Sequence, residues 1–423
     1  MLVTGSGPGP RTEVLPEALA FARQGLSVLI YDKRSVGYSL LQRSYSLLAD
    51  DALGAVLALS RHPGVDSHKV GIWGFSEGGW VAPLAASRSK AVAFVVLVGG
   101  NALTPLRQQT WEATCALRRQ NVSGSSVDQA EPNMFRLLGG VGMFPEANYD
   151  GETVLRHVRQ PVLALWGDDD LRTPPGENPP LVARALQQGG NLHYTFRFFP
   201  DADHSLHLSS DGGVTRLPAL APEYPELVGS WSRAVTSGRL PHADASTAPQ
   251  QACPALPTQD VSWWNAPRIQ LYALALLLLA FATYPLTAIA RWIRGGALQA
   301  SGRVPARLLA GTGTVAALGS FVYLLFLLIT SGTRAAPGPV ALDRPVLWLL
   351  LQGLALVASG AAIGLTLTLY RCWKALARAE RLRSTASCWP GGSCLYCGRS
   401  PGVCCCPDPA GPARTPPGRR CRR

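Results

Sequence analysis

The chain has 423 residues and a net charge of +12, a length that suits two or three domains. Residues 1–243 carry 21 Lys and Arg against 22 Asp and Glu, whereas residues 244–423 carry 18 against 5. The basic excess therefore lies among long apolar runs, which points to membrane flanks and argues against a nucleic-acid-binding protein. Of ten cysteines only Cys115 falls in the first 243 residues, so no disulfide framework is expected there.

No signal-peptide pattern opens the chain, and Met1 leads at once into a strand-like run. Strands are predicted at Leu2–Thr4, Ser27–Tyr31, Val70–Phe75, Val92–Val98, Val162–Trp166 and Leu192–Phe199. Several are apolar on both faces, as strands of a covered parallel sheet are. Helices are predicted between them at Val14–Gln24, Leu47–Ser60, Gly79–Ser87 and Leu181–Gln188. This alternation predicts a doubly wound, mostly parallel α/β domain over residues 1–237. From Asn101 to about Arg156 no strand is evident, and Trp111, Met134, Phe135, Met143 and Phe144 fall there. That stretch reads as an inserted cap over a pocket, or equally as a helical excursion with its own small core.

A Pro- and Ala-rich linker follows at about 238–267. Three uncharged apolar runs come next, Ile269–Ala290, Leu308–Thr330 and Val346–Tyr370. Each exceeds the roughly 20 residues that cross a bilayer core as a helix, so the region 268–371 reads as three transmembrane helices. Pro285 is a candidate kink, and Trp263, Trp264, Trp292 and Trp373 fit an interfacial belt. The basic tail, 372–423, is Cys- and Pro-rich. Cys394 and Cys397 form one CxxC and Cys404–Cys406 are consecutive. One pair and a triplet without a nearby His make a poor zinc site, so a low-complexity tail is expected.

The chemistry concentrates in three places. Gly74-Phe75-Ser76-Glu77-Gly78 follows a strand and precedes a helix, the context of a nucleophile elbow. A serine hydroxyl needs a base, and the base needs an orienting carboxylate. Asp168-Asp169-Asp170 runs off one strand, and Asp201-Ala202-Asp203-His204 runs off the last. These are the carboxyl ends of strands, where open α/β sheets build their sites. The candidate triad is Ser76, Asp170 and His204, with His207 as the alternative base. An oxyanion hole needs two backbone N–H donors. Glu77, after the nucleophile, would give one, and Ser6 in the loop Thr4–Gly9 the other. No GxxxxGK[ST] follows that loop, so a nucleotide site is not expected.

Gly5-Ser6-Gly7-Pro8, Tyr31-Asp32-Lys33-Arg34-Ser35-Val36-Gly37 and Gly74-Phe75-Ser76-Glu77-Gly78-Gly79 together resemble the serine esterase branch of the α/β-hydrolase superfamily. Dienelactone-hydrolase-like and prolyl-oligopeptidase-like members are its relatives. The resemblance covers about residues 1–237. It implies an α/β-hydrolase sheet, a Ser/Asp/His triad on Ser76, Asp170 and His204, and no metal or organic cofactor. Two positions depart from the family: Thr4 stands where a His is usual, and Ser35 where a Gly is usual. Strands that would precede Leu2 are also lacking.

The expected activity is hydrolysis of a small-molecule carboxylic ester by a serine hydrolase on a membrane anchor. A prolyl-oligopeptidase-type peptidase, a thioesterase and a catalytically dead sensor or scaffold are the alternatives. Arg291, Arg294, Arg303 and Arg307 lie between the first two runs, and Arg371, Lys374, Arg378, Arg381 and Arg383 after the third. Only Arg334 and Arg344 lie between the second and third, and Arg268 stands almost alone before the first. Positive-inside counting places the hydrolase domain on the extracytoplasmic side. An export signal and the first strands are then expected upstream of Met1. The competing topology keeps the domain in the cytoplasm and reverses all three spans.

Overall fold

A computed structural model of the protein describes residues 1–39, 41–255, 262–294, 303–330 and 335–386. Its central sheet runs β1 (Leu2–Val3), β2 (Ile72–Phe75), β3 (Val95–Val98), β4 (Val162–Gly167) and β5 (Tyr194–Phe199), all parallel. An antiparallel ribbon, β6 (His207–Ser209) and β7 (Arg216–Leu220), follows β5. The short β8 (Asp244–Ala245) then closes the β5 edge to make six strands. The helices are α1 (Leu15–Arg23), α2 (Tyr45–Ser60), α3 (Gly78–Arg88), α4 (Pro105–Arg119), α5 (Glu131–Gly140), α6 (Gly151–Leu155), α7 (Asn178–Gln188) and α8 (Tyr224–Thr236).

The apolar strands need cover on both sides, and they have it. Val56 of α2, Val81 of α3 and Val182 of α7 pack with Ile72, Leu97 and Ala164 on one face. Phe21 of α1 and Tyr224 and Trp231 of α8 pack with Trp73, Val96 and Leu163 on the other. The sheet is thus parallel and covered on both faces, and its strand–turn–helix crossing lies at β2–α3.

Three expectations are corrected. Ser27–Tyr31 is not a strand: Leu29 O accepts from Leu2 N at 3.0 Å, but no continuous ladder forms at this outer edge. The segment after Gly238 is not a free linker, because it supplies β8 and then runs along the cap. Trp111 Nε1 donates to Cys253 O at 2.6 Å and Ala255 N to Glu177 Oε1 at 2.9 Å. Finally, the hydrolase part does hold a disulfide, Cys115–Cys253, whose partners are 138 residues apart. Cys253 lies ten residues beyond the near-neutral segment 1–243.

The candidate cap, 101–156, comprises α4, a π-helical turn at Ser126–Ala130, α5 and α6. Beyond it come α9 (Pro267–Ile293), α10 (Arg303–Thr330) and α11 (Val346–Ala386). All three are long and apolar enough to cross a membrane, with a mean hydropathy of 2.0 over their most apolar stretches. Pro285 lies inside α9, which continues through it. The connection between α10 and α11 carries a small ribbon, β9 (Val340–Ala341) and β10 (Arg344–Pro345).

Long helices and cap share apolar clusters. Met134, Leu137 and Leu138 of α5 pack against Leu271 of α9 and Phe321, Leu324, Leu325 and Leu328 of α10. Ala116 and Leu117 of α4 pack with Tyr323, Leu327 and Leu351. The ribbon grips the cap directly: Ser123 N donates to Asp343 O at 2.8 Å, and Arg344 Nη1 to Ser125 Oγ at 3.2 Å. By contacts the chain divides into Met1–Thr366 and Leu367–Arg423. In the second unit α11 runs on to Ala386, with Lys374 Nζ 4.5 Å from the Tyr370 ring centre. The cysteines of the tail, Cys394, Cys397 and Cys404–Cys406, lie outside the described residues, as does the connection 295–302.

Candidate active site

Ser76 stands at the end of β2 with φ of 54°, a left-handed conformation that a non-glycine residue adopts only when its surroundings impose it. Glycines make the turn this tight. A Cβ on Gly74 would fall 2.1 Å from Gly78 O, and one on Gly78 2.6 Å from Val3 O. Ser76 N donates to Val98 O at 3.0 Å, which ties the turn to β3. Helix α3 starts two residues on, at Gly78, so its positive end faces the turn.

The loop after β4 buries Asp170 and leaves Asp168 exposed and Asp169 half-buried. Asp170 Oδ1 accepts from the amides of Arg172 and Thr173, both at 2.8 Å. Its Oδ2 accepts from Thr173 Oγ1 and meets His204 Nδ1 at 2.8 Å. A carboxylate only accepts, so Nδ1 carries the proton and Nε2 keeps its lone pair. Among the described residues Nε2 is buried without a hydrogen-bond partner. The His204 ring lies 4.9 Å from that of Phe75, and a Cβ on Gly99 would touch it at 2.7 Å. Phe75 precedes Ser76, and Gly99 follows the Val98 that holds it. The structure thus brings Asp170 and His204 into contact beside the Ser76 turn, with no hydrogen bond drawn between Ser76 and His204.

The remaining candidates fall elsewhere. Burial and the nearby Asp201 raise the pKa of Asp168 and of Asp169, and neither carboxyl reaches His204 by a hydrogen bond. His207 Nδ1 sits 3.0 Å from Ser205 Oγ and 4.0 Å from Glu17 Oε1, in a cluster with Asp203 and Arg216. Burial, with Arg216, lowers its pKa. Among the described residues neither the Ser6 nor the Glu77 amide has a protein acceptor. The Gly7 amide next to Ser6 does: it donates to Tyr38 Oη at 2.9 Å.

Several residues at this site escape sequence reasoning. Thr173 braces Asp170, three residues downstream of it, and only its short spacing hinted at a loop contact. Lys33, Tyr38 and Arg43 converge on the buried Glu77 carboxylate. Lys33 stood within the recognised Tyr31–Gly37 motif, and Tyr38 directly follows it. Glu112 of α4 is buried and accepts from Gln109 Nε2 at 3.1 Å. Burial raises its pKa. A cavity of about 370 Å³ lined by Phe21, Trp73, Phe94 and Val228 opens elsewhere, without Ser76, Asp170 or His204. Among the described residues no group of acidic, His and Cys side chains could hold a metal.

Residues 46–217 match the model of the prolyl oligopeptidase family. Over 86 residues the chain is 37% identical to a polyketide transferase of Penicillium crustosum, a match covering 19% of this chain and 28% of that protein. A polyketide transferase of Aspergillus fumigatus is 30% identical over 117 residues, covering 26% and 40%. The chain thus spans less than half the length of these curated relatives. Among solved structures, a monoacylglycerol lipase of Paleococcus ferrophilus is similar at 15% identity and a TM-score of 0.37, over 55% of this chain and 93% of that one.

Proposed function

We propose that this chain is a membrane-anchored serine hydrolase that cleaves carboxylic esters through an acyl-enzyme on Ser76. The observation that carries the reading is the buried His204–Asp170 pair at 2.8 Å, set beside a serine held at φ 54°. His204 Nε2 takes the Ser76 Oγ proton as Oγ bonds to the ester carbonyl carbon. The oxyanion is held by the amides of Ser6 and Glu77, and the proton then passes from Nε2 to the departing alkoxide. A water molecule repeats the sequence, releasing the acid and restoring Ser76. Asp170 fixes the His204 tautomer throughout, and the amides of Arg172 and Thr173 with the Thr173 hydroxyl fix Asp170.

The match to the prolyl oligopeptidase family favours a peptidase as the second reading. The polyketide transferases among the relatives bring a third, in which an alcohol replaces water as the acceptor of the acyl group. All three share the acyl-enzyme and differ in leaving group and acceptor.

The three apolar helices anchor the protein in a bilayer, with the catalytic domain outside the cytoplasm. The connection between α10 and α11 is bound to the cap through Asp343 and Arg344, so both belong on one side. The arginine-rich segments after α9 and within the far end of α11 belong on the other, as positive-inside counting requires. The Cys115–Cys253 disulfide fits an oxidising compartment on the domain side.

The test is labelling of the full chain with a fluorophosphonate, followed by turnover of p-nitrophenyl esters, thioesters and Xaa-Pro amides. Label on Ser76 and hydrolysis of the esters, both abolished in Ser76→Ala, support the reading. An unlabelled, folded parent protein leaves the dead-scaffold alternative standing.

A further inference from the structure

We propose that Lys33 and Tyr38 are positioning residues for the oxyanion hole, bracing the Gly5–Gly7 loop against the residue that follows the nucleophile. The inference rests on the serine hydrolase reading above. Its basis is a set of bonds that the triad does not use.

The two amides assigned to the oxyanion belong to separate parts of the chain. Ser6 lies in the loop after β1, and Glu77 in the turn between β2 and α3. The β1–β2 ladder ends at Val3 and Gly74, three residues short of each, yet two donors must converge on one oxygen to within a fraction of an ångström. The side chain of Glu77 supplies the link. Its carboxylate is fully buried, and Oε2 accepts from Lys33 Nζ at 2.5 Å and from Tyr38 Oη at 2.5 Å. Lys33 Nζ also donates to Gly5 O at 2.6 Å, while Tyr38 Oη accepts from Gly7 N at 2.9 Å. Lys33 Nζ and Tyr38 Oη are themselves 3.3 Å apart. Ser6 is thereby held on both sides, through the carbonyl of one neighbour and the amide of the other.

The bracing has a chemical logic. Tyr38 must act as donor and acceptor at once, which only the neutral phenol can do; burial and the Glu77 charge raise its pKa and keep it neutral. Arg43 Nε lies 3.2 Å from Glu77 Oε1, at an angle unsuited to a hydrogen bond, and adds charge without a second geometric tie. Two cations thus flank one carboxylate immediately behind the site where an oxyanion forms, which suits that charge. With its Gly7 amide taken by Tyr38, the loop has the Ser6 amide left for substrate.

A brace of this kind acts on the transition state and leaves ground-state binding alone. Displacement of catalytic groups by about an ångström costs on the order of a hundredfold in rate. Tyr38→Phe, which keeps the ring and removes one oxygen, is expected to lower kcat about tenfold to a hundredfold with KM within about twofold. Lys33→Met is expected to do at least as much, and Lys33→Arg to recover part of the loss. The experiment measures the rate of Ser76 labelling by a fluorophosphonate, ester kcat and KM, and affinity for a boronic acid that mimics the tetrahedral adduct. Thermal unfolding of each variant is followed in parallel. Parallel losses in kcat and boronate affinity, with KM and the melting temperature of Tyr38→Phe near parental, support the proposal. Tyr38→Phe with parental kcat and boronate affinity overturns it, as does a rise in KM alone. A parent that neither labels nor turns over any ester sinks the hydrolase reading, and this inference with it.

Discussion

Thr173 Oγ1 and His204 Nδ1 meet the same carboxylate oxygen, Oδ2 of Asp170, and lie 3.5 Å from each other. The imidazole is therefore held by an acid that is itself held by its own loop. Asp170→Asn keeps the shape but favours the wrong tautomer of His204, at an expected loss of about 10⁴ in kcat. Asp168→Asn and Asp169→Asn should stay within a few-fold of the parent. Ester turnover of the three purified variants decides the matter; a larger loss in Asp168→Asn would show that the acid has been placed on the wrong carboxylate.

The two histidines near β6 should separate in the same assay. His207→Gln disturbs the cluster of Ser205, Glu17 and Arg216 and is expected to lower the melting temperature more than the activity. His204→Gln is expected to abolish activity with the melting temperature nearly kept. The reverse pattern would make His207 the base.

Cys115 and Cys253 close a loop of 138 residues. Cys115→Ala, or reduction of the parent, is expected to cost about 2–4 kcal/mol of stability. Unfolding scans with and without reductant check this, and a parent indifferent to reductant would show the bond to be absent or without effect.

Glu131 opens α5 with both carboxyl oxygens buried and unpartnered among the described residues, and burial raises its pKa to about 8. An unfolded Glu ionises near pH 4.3. Between roughly those two values the folded protein holds a proton that the unfolded chain has released, so stability falls as pH rises. Below the window the contribution is neutral, and above it the full penalty stays, on the order of a few kcal/mol. Glu131→Gln should remove this slope and be the more stable protein at alkaline pH. Unfolding of parent and variant at pH about 5 and about 8.5 reads the difference; superimposable curves would contradict it.

Protease shaving of intact cells tests the topology. Loss of the catalytic domain while the cells stay sealed supports the extracytoplasmic position. Complete protection would favour the reversed arrangement of the three helices.

Much of the sheet was legible because its strands are apolar on both faces and begin and end at turn residues: β2, β3 and β5 lie within predicted runs, and β4 overruns its own by Gly167 alone. Ser76, Asp170 and His204 could be picked out because each follows such a run at its carboxyl end. Ser27–Tyr31 has the same composition, yet composition does not provide a neighbour on its outer side, and it remains extended chain. Helix α8 and the strand β8 were missed, the one in a stretch broken by Pro225 and the other in a polar segment that pairs over two residues only. The Lys33–Tyr38–Glu77 contacts join three loops that no periodicity relates. The same holds for Cys115 and Cys253, whose partnership crosses the boundary that the charge distribution drew.

The sharing of apolar clusters between α4, α5 and the long helices has a consequence for synthesis. Leu117 and Val122 of the cap are completed by Tyr323, Leu327 and Leu351, so the ribosome must translate some two hundred further codons before that core can close. The sheet can form as soon as its strands emerge, since five of its six strands and the helices that cover it come from the first 237 residues. The cap cannot. Until α9 and α10 arrive, Leu137, Leu138 and Met134 lack their neighbours, and a nascent chain in that state offers apolar surface to chaperones or to other copies. Cutting the gene after the catalytic domain would make this passing condition permanent: the product would keep its sheet and be prone to self-association through the cap.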